Sequence, residues 1–124
     1  MITFLLILHG IFSVFLLGAV THHALSVFWP RRPGQNGLVA RARGVNSSGY
    51  VQTIIILYVI EFTIGAILYP TYRVLARPPL QDLQLTYVIG LFEVKENFAA
   101  IMLAMLPSYI YFWSKAPDYR TSRM

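Results

Sequence analysis

"LFEVKENFAA", residues 91–100, lies inside an apolar run from Leu83 to Trp113, and its reading decides how often the chain crosses a membrane. Glu93, Lys95, Glu96 and Asn97 put three charges and an amide into one short stretch of that run. A charge at the centre of a bilayer costs at least about 2.5–3.5 kcal/mol on insertion scales, so such residues within a span must face protein or water. Two arrangements are open. In one, a single helix runs from about Leu83 to Trp113, bends at Pro107 and carries the polar cluster inside the bilayer. In the other, Leu83 to Phe92 lies at the interface and only the 17 residues Asn97 to Trp113 cross. Seventeen residues is the short end of what a crossing of roughly 30 Å requires. The long helix is therefore the expected form.

Two further stretches meet the length requirement, Ile2 to Trp29 and Tyr50 to Tyr72. Of the 124 residues, 56% are hydrophobic and only 12% charged, against about 25% charged in a soluble domain. The expected fold is an all-α integral membrane protein with three transmembrane helices in a small bundle. The chain forms a single membrane domain, 1–124: helix 1 over about 2–29, a basic loop 30–49, helix 2 over about 50–72, a loop 73–82, helix 3 over about 83–113, and a basic tail 114–124. The first segment has no positive n-region, and "GAVTHHALS" is a poor cleavage site, so it is expected to be a retained helix. Cysteine is absent, which excludes disulfides, thiolate metal sites and haem attached through Cys-x-x-Cys-His.

The net charge of +5 is distributed as topology demands and not as a face for nucleic acid. Arg31, Arg32, Arg41 and Arg43 crowd the first loop, while Lys115, Arg120 and Arg123 outnumber Asp118 in the tail. Positive loops stay inside, so the N-terminus is expected outside and the C-terminus inside. The same basic loop suits an anionic lipid surface. "RPPL", residues 77–80, is expected to turn the chain, because paired prolines do not continue a helix.

The residues that could carry chemistry are few. Glu61 sits about eleven residues into the second span, where it must face protein or water; it is a candidate proton-relay or quinone-contacting carboxyl, and Lys95 is its expected partner. Glu93, Glu96, Asn97 and Ala100 share one helix face, whereas Lys95 points about 200° away from Glu93. A helix with acid on one side and base on the other needs protein on both. Glu93, Lys95 and Glu96 thus join Glu61 as buried polar candidates for proton or quinone contact. His9 and His23 are fourteen residues apart on one face, about 21 Å along the axis, a spacing that resembles the helices of cytochrome b-type bundles that ligate two stacked haems. That resemblance implies haem b only where a partner subunit, a second copy, or Met102 or Met105 supplies the other ligands. Gly10, Ser13, Gly18 and Thr21 lie to one side of helix 1 and read as a helix-packing seam. No metal site is expected, since the Glu-x-x-His pattern of di-iron bundles is missing.

Together these features point to a small accessory or anchor subunit of an energy-transducing, electron-transport type complex, in a bacterial or organellar inner membrane. It is expected to be mainly structural, not catalytic on its own, and placed beside a quinone or proton pathway. Its expected partners are other membrane subunits and anionic lipid, not nucleic acid. Two alternatives stand beside it: a small homo-oligomeric proton-coupled transporter using Glu61, and a dimeric haem-binding electron carrier using His9 and His23.

Overall fold

The computed structural model describes residues 1–28, 37–38 and 47–115. The described chain is helical, with no strand: α1 (Ile2–Phe28), α2 (Ser47–Thr71), a π-helical turn (Tyr72–Ala76), α3 (Arg77–Asp82) and α4 (Thr86–Lys115). Most of the basic loop and all of the tail beyond Lys115 fall outside the described residues. The chain divides into two units, Met1–Leu68 and Tyr69–Met124.

In the first unit, α1 and α2 form an antiparallel hairpin. Their inward residues recur at alternating steps of four and three: Leu5, His9, Phe12, Leu16, Ala19 and His23 on α1, and Val51, Ile54, Tyr58, Glu61, Gly65 and Leu68 on α2. That 3.5-residue period is the one that keeps two helices in contact along a seam. His22 stacks parallel to Tyr50 near one end, with ring centroids 5.9 Å apart, and His9 reaches Glu61 further along. Those two contacts fix the antiparallel register. The other faces stay apolar and exposed, with Val14, Leu17, Phe28 and Ile56 all more than half accessible. Among the described residues no large side chain is fully buried.

Two helices, Ile2–Phe28 and the continuous helical stretch Gly49–Asp82, have the length and composition to cross a membrane. Neither resembles the core helix of a soluble protein, since the most apolar window of the first is entirely unburied and that of the second is 22% buried. Water would penalise such a surface and hydrocarbon would not. The third helix, α4, spans 30 residues but does not meet the same measure of apolarity. Its Glu93, Lys95, Glu96 and Asn97 and its C-terminal tyrosines dilute the run.

In the second unit, the stretch expected as a loop, 73–82, is helical instead. The reason lies in where the prolines fall. Pro78 occupies the first turn of α3, a position at which no N–H is needed. Its ring would clash with the carbonyl four residues back in an uninterrupted α-helix. The preceding turn widens to π geometry, and Arg77 N–H donates to Tyr72 C=O, five residues back. The chain therefore changes helical register and does not turn until Leu83. There Leu85 N–H donates to Leu80 C=O at 2.9 Å and Gln84 N–H to Gln81 C=O at 2.9 Å, with Gln84 at φ 54°. This is a Schellman cap with a non-glycine residue in the left-handed position. It closes α3 and lets α4 begin at Thr86, three residues later than the expected start. At its other end α2 begins at Ser47, earlier than expected, and retains Pro70 inside.

Left-handed backbone costs a side chain about 1 kcal/mol or more relative to glycine. Gln84→Gly should raise the thermal midpoint of the purified chain by an amount corresponding to about 0.5–1 kcal/mol, and Gln84→Val should lower it. Unfolding followed by circular dichroism in detergent gives the order, and the reverse order would show that Gln84 is unstrained.

Candidate functional site

Within the hairpin, one polar cluster interrupts the apolar seam. It is built from two pairs at the same spacing: His9 and Ser13 one turn apart on α1, Glu61 and Gly65 one turn apart on α2. Ser13 Oγ donates to Glu61 Oε1. His9 Nδ1 lies 2.9 Å from the same oxygen, at ion-pair distance but without good hydrogen-bond geometry. The Glu61 side chain is 12% exposed and that of His9 25%. Glu61 Oε2 is buried and makes no hydrogen bond. Gly65 makes the approach possible: a Cβ there would stand 3.3 Å from His9 Cε1, so the imidazole rests against bare backbone.

The arrangement answers the electrostatic problem posed by a carboxyl in an apolar helix. An isolated ionised group would be expensive, but imidazole and carboxyl together hold one proton at zero net charge in either distribution. One carboxylate oxygen accepts from Ser13 and faces His9, and the other is buried with no hydrogen bond.

Lys95 was the expected partner of Glu61. Within its own unit Glu61 is already engaged by His9 and Ser13, and Lys95 Nζ sits over the Phe92 ring of its own helix, 4.5 Å from the centroid. Such cation–π contacts contribute about 0.5–1 kcal/mol at exposed positions. Glu93 pairs with Arg77 of α3 at 3.0 Å, and Tyr72 stacks on Phe92 with centroids 3.7 Å apart. These two contacts lay the π turn and α3 along α4. Glu93 is half exposed, Lys95 and Asn97 are exposed, and Glu96 is intermediate. Arg73 turns to Tyr69, donating from Nη1 to the phenol oxygen at 3.2 Å.

His9 and His23 both occupy the packed side of α1, His23 at 8% exposure. Of the four small residues read as a seam, Ser13 faces α2. Gly10, Gly18 and Thr21 face outward, and a Cβ at either glycine would meet nothing within 4 Å. Met102 and Met105 are exposed on α4. Sequence reasoning found Glu61 and His9 separately but assigned Ser13 to packing and passed over Gly65. The signal available was the matched one-turn spacing on both helices, a polar residue and a small one on each. No family model, curated protein or solved structure matches the chain.

Gly65 is the position that tests this geometry. Gly65→Ala adds helix propensity worth about 0.5–1 kcal/mol while asking the imidazole to yield a few tenths of an ångström, so its net effect on the detergent melting midpoint should be small. Gly65→Leu should displace His9 from Glu61 and destabilise by about 1–3 kcal/mol. Equal behaviour of the two variants would mean that His9 does not occupy this notch.

Proposed function

We propose that the chain is an integral membrane protein with three spans, N-terminus outside and C-terminus inside. We read it as a small accessory or anchor subunit of an energy-transducing, electron-transport type complex in a bacterial or organellar inner membrane. The observation that carries this reading is the state of α4: acid and amide share one face of the helix and the base lies on another, and Lys95 and Asn97 remain exposed while Glu93 is half exposed. A third span with that girdle is tolerable in lipid only where neighbouring subunits surround it. The apolar surface of α1 and α2 supports the same conclusion, because it is suited to lipid or to other membrane helices. The basic loop 30–49 would sit against anionic headgroups. Quinone or haem b would be held jointly with partner subunits, near Glu93 and Glu96 for the first and near His9 and His23 for the second.

Purification in mild detergent should recover the chain with larger, cofactor-bearing membrane subunits. Lys95→Cys in that assembly should react slowly with a membrane-impermeant charged maleimide. A stable, correctly folded monomer without partners, or rapid labelling at position 95, would count against the subunit reading.

A second reading is favoured by the Glu61 cluster: a homo-oligomeric proton-coupled transporter in which Glu61 is the coupling carboxyl. Here the protein should purify alone as a dimer or trimer, and Glu61→Gln should abolish proton-driven uptake into vesicles while leaving helical content unchanged. Retained uptake in Glu61→Gln would remove this reading.

A further inference from the structure

We infer that His9, Ser13 and Glu61 form a proton-binding site of the α1–α2 hairpin, in which a protonated His9 and the Ser13 hydroxyl hold Glu61 Oε1 and the incoming proton lands on Oε2. The inference rests on the hairpin lying in a membrane. Its warrant is the asymmetry of the carboxylate: Oε1 accepts from Ser13 Oγ and lies 2.9 Å from His9 Nδ1, whereas Oε2 is buried without a partner. A buried carboxylate oxygen with no donor is costly, and protonation removes that cost by neutralising the group. The imidazolium opposes it, since a positive neighbour within about 4–6 Å favours the ionised carboxyl. Uptake of one proton from water converts carboxylate to carboxylic acid and changes the charge of the site from zero to +1.

The titratable groups on the packed sides of the hairpin are His9, His22 and His23 from α1 and Tyr50, Tyr58 and Glu61 from α2. Among these, His9 is the group that stands at ion-pair distance from Glu61. His22 is stacked on Tyr50 at another level of the seam.

The test is infrared titration of the full-length protein reconstituted in phosphatidylcholine vesicles, after an alkaline carbonate wash. Wild type should remain with the lipid and show a carboxylic-acid carbonyl band that grows on acidification between about pH 9 and pH 4 and is missing in Glu61→Gln. His9→Asn should move the midpoint upward by at least about one pH unit, a tenfold tighter grip on the proton. Ser13→Ala, with less risk to folding, should move it upward by a smaller amount. Loss of the protein from lipid in the wash would overturn both the membrane reading and this one. Retention without a Glu61-dependent band, or midpoints that do not move in His9→Asn and Ser13→Ala, would overturn the proton site alone.

Discussion

A carboxyl group halfway along an apolar helix can be faced by only a few neighbours, and Glu61 imposes that restriction on the whole hairpin. Rotating α1 by one residue, about 100°, would remove His9 and Ser13 from Glu61 and present Leu8 and Phe12, or Gly10 and Val14, instead. Sliding it by a turn would keep one of the two and put Leu5 or Leu17 in place of the other. Apolar seams of leucine, valine and isoleucine accept several registers at similar energy, and a buried polar contact is the best-attested means of selecting one. The heptad spacing brings α1 and α2 together, and the Glu61 cluster specifies how. Gly65 belongs to that specification, because the imidazole packs against its bare backbone, 3.3 Å from where a Cβ would stand.

The two parts of the chain differ in what their sequence made legible. The helical class and the two apolar helices followed from run length, and Glu61 stood out as one acid in the wrong solvent. The identity of its partner did not. Lys95 is the complementary charge in the sequence, whereas within the hairpin the neighbour of Glu61 is His9, which carries no fixed charge and so no pattern of its own. Rotational phase could have separated them, had the seam of α1 been drawn through Leu5, His9, Phe12 and Leu16. The small residues drew it through Gly10 and Gly18 instead, on the opposite side. In a hairpin whose two helices are apolar all round, hydrophobicity says little about which face turns inward.

The segment around the prolines was misread for a different reason. Proline disfavours the interior of an α-helix, but it does not disfavour a helix start. "RPPL" therefore has two meanings, a turn or a first helical turn, and the preceding five residues decide between them. Tyr72 to Ala76 take the second by opening into a π turn, and Tyr72 and Arg77 then brace the segment on Phe92 and Glu93. An exposed pair such as Arg77–Glu93 contributes little on its own, about 0–1 kcal/mol, and the aromatic stack beside it is the more substantial contact.

The π turn also acts as a phase shifter. A helix whose turn holds one residue more than usual resumes its α geometry with every later side chain rotated by roughly one residue's worth of angle, about 100°. Arg73 and Arg77, four residues apart, would be near neighbours on one stripe of a regular helix. Across the widened turn they are reassigned to different environments, Arg73 to the Tyr69 phenol and Arg77 to the Glu93 carboxylate. One additional residue thus sets the register in which the arginines meet α4: Arg77 pairs with Glu93, while Arg73 donates to Tyr69 and stays within electrostatic reach of Glu96 and Glu93.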